Sequence, residues 1–393
     1  MQKWPVYDQE QIDAVAQVLA SGKVNAWTGP DVRAFEDEYC TYTGANHAIA
    51  IANGTLTLDA ALHGLNLQPG DEVIVTPRSF IASASSVMLY GAVPIFADVD
   101  PDTQNITPET IAPLITNRTK GIIPVHLAGW PCDMRGIMDL ARAHDLWVIE
   151  DCAQAHGAMI GETHVGTIGT IGSFSFCQDK IITTGGEGGL LVTNDHDLWS
   201  RIWSYKDHGK GYDTVFNTPA PPGFRWLHDS GPGTNLRLNG MAAALGRIQL
   251  QRLNDWRAHR TANANLLHDA MSTCPAFRVP MPSTDITHAY YRFYAFVRPE
   301  ALATGWDRDR IIAEITAAGF PAFSGSCSEI YLEQTFQKHG IGPEKPLPVA
   351  RELGETSLAF LVDPARSQDE VSRMCEVIVD VGNRALAPQL AGQ

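Results

Sequence analysis

The sequence has no CxxC pair, no run of about eighteen apolar residues, no long block of like charge and no internal repeat. Each absence removes a class of protein. Seven cysteines, an odd number without metal-ligand spacing, argue against a disulfide framework or a zinc site and fit a reducing, cytoplasmic location. The opening Met1-Gln-Lys-Trp-Pro-Val-Tyr-Asp8 holds no apolar core of a secretion signal. Cations are scarce: 29 Lys and Arg against 44 Asp and Glu give a net charge of −15. That balance argues against nucleic acid or an anionic membrane as a partner. What remains is 393 residues of ordinary apolar content, enough for about two to three domains and a large core.

Along the chain, strand-like runs alternate with helical ones. Residues 9–19 predict an amphipathic helix with Ile12, Val15, Val18 and Leu19 inward. His47-Ala-Ile-Ala-Ile-Ala-Asn53 predicts a buried strand running into Gly54-Thr55 and a helix, a strand–turn–helix junction suited to a phosphate. Residues 73–75, 93–98, 122–125 and 146–149 predict further strands, with Pro94 arguing for an edge or for the start of its strand. Ser79 is a candidate cap for a helix to Tyr90. This alternation predicts an α/β fold with a mostly parallel sheet flanked by helices, whose ligands sit beyond the carboxyl ends of the strands. Residues 206–211 and 219–223 read as one long loop, and a long helix follows from Leu238. The expected division is a large domain over 1–250 and a smaller α+β domain over 251–393, with a strand at 290–297 and helices near 307–318 and 368–381.

Two stretches carry chemistry. Ser173-Phe-Ser-Phe-Cys-Gln-Asp-Lys180 places a lysine between a strand and the glycine-rich turn Thr183-Thr-Gly-Gly-Glu-Gly-Gly189. A lysine in apolar surroundings needs a partner or a depressed pKa, and such lysines form Schiff bases. Glu150-Asp-Cys-Ala-Gln-Ala-His-Gly157 places carboxylates at the end of a buried strand. A bonded lysine with an acid facing a ring nitrogen is what pyridoxal phosphate requires. Glu150 alternates to the other side of the strand and reads as structural, as does His156. Cys132, Cys152 and Cys177 read as small buried residues.

The chain resembles the nucleotide-sugar aminotransferases of the DegT/StrS family, with the fold type I architecture. The resemblance rests on Asn53-Gly-Thr55, Pro69-Gly-Asp-Glu-Val73, residues 150–157, Ser173-Phe-Ser-Phe176 with Lys180, Gly186-Glu-Gly-Gly189 and Asn235-Leu-Arg237, in that order along nearly the whole chain. It implies Lys180 as the Schiff-base lysine and proton shuttle, and Asp151 as the partner of the pyridinium nitrogen. Gln154 falls on the cofactor's phenolic oxygen, Phe80 on the face of its ring, and Thr55, Ser175 and the backbone at Leu56 on its phosphate. Asn235 matches a residue reaching the phosphate of the neighbouring subunit, which implies a homodimer with shared sites. Arg237 is a candidate for that phosphate or for a substrate anion. His208, His288 and Tyr291 are substrate-pocket candidates, and Lys206, Lys210, Arg225 and Arg237 are candidate donors to a sugar diphosphate.

The implied reaction moves an amino group from an amino acid, L-glutamate, to a nucleotide-linked keto sugar. A keto-cyclitol acceptor is the alternative. A dehydratase branch of the resembling family carries histidine where this chain has Lys180, which disfavours dehydration. A regulator on the same fold is disfavoured because lysine, acid and phosphate ligands are all present. Gly185-Gly-Glu-Gly-Gly189 lacks the GxGxxG spacing of a nicotinamide site.

Overall fold

The computed structural model describes residues 3–388. The stretch read above for a secretion signal is therefore described from Lys3 onward. Helices α1 (Gln9–Ser21) and α2 (Asp31–Thr43) precede strand β1 (His47–Ile51) and helix α3 (Gly54–Gly64). Then come β2 (Glu72–Val75), α4 (Ala82–Leu89), β3 (Val93–Phe96), β4 (Thr119–Ile123), α5 (Met134–Ala143), β5 (Trp147–Asp151), β6 (Ile171–Ser175) and β7 (Gly189–Thr193). Helices α6 (His196–Lys206) and α7 (Gly240–Met271) lead to β8 (Phe293–Val297), α8 (Arg308–Ala317), β9 (Ser357–Phe360) and α9 (Gln368–Ala385). Among the described residues, no helix is long and apolar enough to cross a membrane.

The seven-stranded sheet has the order β1-β7-β6-β5-β4-β2-β3. All neighbours are parallel except those of β7, which runs against both β1 and β6. Pro94 lies in β3, an edge strand, where its missing N–H costs no ladder bond. At the opposite edge, β1 meets a mixed set of partners. Asn46 N–H donates to Asn194 Oδ1 at 2.9 Å, Ala48 C=O accepts from Trp199 Nε1 at 3.3 Å, Ala50 N–H donates to Glu36 Oε1 at 2.8 Å, and Ala52 N–H donates to Leu236 C=O at 2.9 Å.

Apolar residues fill both faces of the sheet. Ile49, Ile51, Val73, Val75 and Ile149 pack with Leu58, Leu62 and Trp203, while Ile74, Ile122 and Val148 pack with Met134 and Ile137. The 32-residue α7 serves two cores. Leu250 and Leu253 pack with Phe35, Tyr39 and Phe176, and Ala264, Leu267 and Met271 pack with Phe293, Phe360 and Ile378. The division expected near residue 250 thus falls inside one continuous helix. Ile330, Tyr331 and Phe336, from the C-terminal part, also pack beside Phe96.

Several local expectations are corrected. Val18 is buried and Val15 half-buried as expected, but Ile12 and Leu19 are exposed, and Gln11 is buried with Val18 in α1. The buried amide has partners: Gln249 Nε2 donates to Gln11 Oε1 at 3.0 Å, and Gln249 Oε1 accepts from the Thr183 N–H at 2.7 Å. Helix α4 starts at Ala82 without a side-chain cap, because Ile81 occupies the N-cap position; Ser79 lies two residues earlier, its hydroxyl paired with Ser83 Oγ at 3.2 Å. The strand expected over 290–297 begins only at Phe293. Tyr290 adopts φ of 46°, outside any strand, where the chain turns onto residues 128–129.

Candidate active site

Strands β1, β2, β5 and β6 all end on the same edge of the sheet, since β1 and β6 both run against β7. The residues that follow them are therefore brought together. They are Gly54 and Thr55 after β1, Phe80 after β2, Asp151 and Gln154 at and after β5, and Ser175 at the end of β6. Lys180 lies in the turn between β6 and β7, on this same edge.

Asp151 is buried. Its Oδ2 accepts from the Ser83 hydroxyl at 2.7 Å and its Oδ1 from the Ala153 N–H at 3.1 Å. Burial pushes its carboxyl above the usual carboxylate range, and Ser83, Ala153, Lys180 and His126 oppose that only in part. A buried acid with two neutral donors is an anion short of a cation. A protonated ring nitrogen would supply one. Beside it, Gln154 Oε1 accepts from the Ala128 N–H at 2.8 Å, which fixes the amide and turns its NH2 into the available donor. Phe80 is 68% exposed, so its ring is not part of the core.

The junction of β1 and α3 forms a cradle. Asn53 caps α3, its Oδ1 accepting from the Leu56 N–H at 3.0 Å. The backbone at Leu56 is thereby engaged, and the amides of Gly54 and Thr55 are the remaining donors of the first turn. A Cβ on Gly54 would lie 2.5 Å from Ser175 Cβ and 2.8 Å from its Oγ. Only glycine lets the hydroxyl of Ser175 sit this close to a helix N-terminus, an arrangement that suits a phosphate.

Ser175 is in turn held from behind. The buried His156 donates from Nε2 to the Ser175 carbonyl at 2.8 Å and accepts at Nδ1 from the Tyr39 hydroxyl at 3.0 Å. Burial pushes its pKa down to about 4, so it stays neutral and structural at neutral pH. Glu150 faces the other way, accepting from His126 Nε2 at 3.0 Å and from the N–H groups of Gly166, Ile168 and Gly169. His126 also accepts at Nδ1 from the Cys132 N–H, and its backbone N–H donates to the Asp151 backbone carbonyl at 3.1 Å. Sequence reasoning missed Ser83 and His126. Their signal was faint: a serine on a buried helical face, and a histidine ending an apolar strand.

Lys180 is half-buried, with Nζ 5.0 Å from the centroid of the Tyr291 ring. The Tyr291 hydroxyl donates to Asp179 Oδ2, and Arg292 Nη2 lies 3.9 Å from the same oxygen. Tyr291 is thus beside the lysine, buried, with its hydroxyl committed to Asp179. His288 stacks on Tyr290 at 3.9 Å and accepts from the Tyr290 N–H at 2.8 Å. Burial pushes its pKa down to about 3, so it is a neutral packing residue. His208 and Asn235 are exposed.

The loop cations are not arrayed for a diphosphate. Asp207, 1% exposed, accepts from Lys210 Nζ and Arg237 Nη1, each at 2.7 Å, and Lys206 Nζ lies 3.8 Å from it. Lys210 is further enclosed by the rings of Trp27 and Trp226, at 4.5 and 4.1 Å. A buried carboxylate draws these three inward because leaving it unpaired would cost several kcal/mol, on the order of 3–5. Arg225 remains exposed, stacked on Trp226 at 4.4 Å.

A family model described as the DegT/DnrJ/EryC1/StrS aminotransferase family matches residues 5–379. The GDP-perosamine synthase of Escherichia coli O157:H7 is 33% identical over 353 residues, covering 89% of this chain and 90% of that protein. The crystal structure of an aminotransferase from Psychrobacter cryohalolentis superposes with a TM-score of 0.95 at 54% identity, covering 98% of this chain and 99% of that one. S. venezuelae DesV, solved in complex with a ketimine intermediate, superposes with a TM-score of 0.84 at 29% identity over 95% of this chain and 94% of that one. A match running almost from end to end, on a chain whose lysine, buried acid and glycine cradle share one sheet edge, leaves one assignment: this protein belongs to the DegT/DnrJ/EryC1/StrS aminotransferase family.

Proposed function

We propose that this aminotransferase uses pyridoxal 5'-phosphate to move an amino group from L-glutamate to a nucleotide-linked keto sugar, working as a homodimer with shared sites. The observation that carries the reading is the pairing on one edge of a lysine amine and a buried, cation-seeking Asp151, beside a cradle that admits no Cβ. The acceptor class is supported by the sugar product in the name of the Escherichia coli relative, and the cofactor by the ketimine in the S. venezuelae structure.

When bound, the cofactor supplies an aldehyde that takes up and hands on the amino group, and a ring that accepts the electron pair released at the substrate carbon. In this reading Lys180 Nζ anchors the cofactor and then moves the proton at the donor's Cα. Asp151 would keep a proton on the ring nitrogen, the Gln154 NH2 would donate to the phenolic oxygen, and Phe80 would cover the ring. The Thr55 and Ser175 hydroxyls and the amides of Gly54 and Thr55 would hold the phosphate, with Asn235 reaching it from the partner subunit; the Leu56 N–H, expected there, is taken by Asn53. His208 stays a candidate on the substrate side, being exposed. With Arg237, Lys206 and Lys210 turned to Asp207, Arg225 is the loop cation left open to a diphosphate.

Holoenzyme mixed with L-glutamate is expected to release 2-oxoglutarate. The aminated form should then regain its aldehyde absorption with a nucleotide-linked keto sugar from a panel that also holds free keto sugars and keto-cyclitols. Recovery with a cyclitol alone would overturn the nucleotide-sugar part. Absence of 2-oxoglutarate would overturn glutamate as donor.

The cradle makes a separate expectation. Gly54→Ala must push α3 away from Ser175, a clash of the kind that costs about 1–3 kcal/mol. Cofactor should be released roughly tenfold more readily or worse, equivalent to at least about 1.4 kcal/mol. Equilibrium dialysis against free cofactor, with urea unfolding of the apoprotein alongside, separates the two losses.

A further inference from the structure

Charges of both signs converge on the ring that flanks Lys180. Lys180 Nζ stands 5.0 Å and Arg292 Cζ 4.7 Å from the Tyr291 centroid, while the Tyr291 hydroxyl donates to the carboxylate of Asp179. The two partners of that hydrogen bond are unequal in freedom. Tyr291 is fixed: its N–H donates to the Ala128 carbonyl at 2.8 Å, and its carbonyl and that of Tyr290 accept from the buried Arg260 Nη1 at 3.4 and 3.2 Å. The loop it grips is the one whose Ala128 N–H is held by Gln154. Asp179 has a side chain 54% exposed and precedes the lysine in a turn. Unheld, it would spread over several rotamers in water.

We propose that Tyr291 and Asp179 form a latch that fixes a carboxylate at the rim of the ring on which Lys180 rests, and so sets the charge around a cofactor bound to that lysine. The proposal rests on the reading of Lys180 as the cofactor-bearing amine. An anion held near an amine favours the charged form, and the ring face adds a cation–π attraction. The phenol–carboxylate bond is of the strong, charge-assisted kind. Partial burial pushes the Asp179 carboxyl up, but Lys180, the Tyr291 hydroxyl and Arg292 outweigh it and hold it below the usual range. The other charged or titratable groups facing this cluster are Asp151 and His156, which feel Lys180, and Arg260 and Tyr294, which feel Tyr291. None of them bridges Asp179 to the ring. Asp179 and Tyr291 are thus positioning residues acting through Lys180.

The test is a pH titration of the holoenzyme followed by the absorption of the lysine-bound cofactor. Asp179→Asn should lower the midpoint by about half to one pH unit, screening by water setting the lower end. Tyr291→Phe keeps the ring but loses the hydroxyl, and should lower the midpoint in the same direction. The double variant should titrate like Asp179→Asn alone, because both substitutions break one link. An unchanged midpoint in Asp179→Asn overturns the proposal, and so do fully additive shifts or an unshifted Tyr291→Phe. These outcomes are distinct from failure of the underlying reading, which would appear as a lysine-bound absorption that survives Lys180→Ala.

Discussion

Lys180→Ala is expected to abolish the absorption of lysine-bound cofactor and to lower amino transfer by roughly a thousandfold or more, since both the covalent anchor and the proton carrier are lost. The fold should tolerate the change. Lys180 is half-buried, its carbonyl accepts from Trp4 Nε1 at 2.8 Å through the backbone, and its N–H donates to the Cys177 carbonyl at 3.0 Å, so neither contact depends on the side chain. Borohydride reduction of the parent holoenzyme followed by peptide mapping should find the cofactor on Lys180. A label on another lysine, or an unaltered spectrum in the variant, sinks the assignment.

Asp151→Asn should separate activity from stability. The amide keeps the shape: its oxygen can still accept from the Ala153 N–H and its NH2 can donate to the Ser83 hydroxyl, but it cannot stabilise a positive ring nitrogen. Loss of a preorganised charge of this kind typically costs about 100- to 1000-fold in turnover. The cofactor-free protein should respond in the opposite sense. Asp151 has its pKa raised in the folded state by burial. A carboxyl raised above its unfolded value binds its proton more tightly when folded. The fold is therefore penalised once the pH exceeds both values, and the penalty disappears below them. Replacing it with a neutral amide removes that penalty at neutral pH, so the apoprotein should unfold at the same or a higher temperature. A variant that lost stability and kept its turnover would reverse the role given to this carboxylate.

Much of this arrangement was legible in the sequence because it depends on local signals. Pro94 pointed to the edge or the start of a strand, and Gly54-Thr55 announced a strand running into a helix. The parallel order then required Asp151, Ser175 and Gly54 to share one side. What escaped notice depended on tertiary contacts. Helix α6 was not foreseen, since Trp199, Trp203 and Tyr205 are indifferent helix formers and gain from packing on α3 and β1. The cations of the following loop looked available because nothing local shows that Asp207 would be buried. Tyr290 and Tyr291 alternated as a strand would, yet the chain turns at Tyr290 to grip residues 128 and 129. Ser83 and His126 meet Asp151 only once three separate strands are side by side.

The borrowed partners along β1 have a bearing on how the protein behaves when concentrated. An uncovered outer strand is a template on which another molecule can lengthen the sheet. Here the outward amides of Asn46, Ala50 and Ala52 and the carbonyl of Ala48 are each taken by an asparagine, a carboxylate, a loop carbonyl and an indole. The far side is blunted by a four-residue strand containing proline. Fibrous growth is discouraged from both directions, and the surplus of negative charge adds mutual repulsion between copies at low salt.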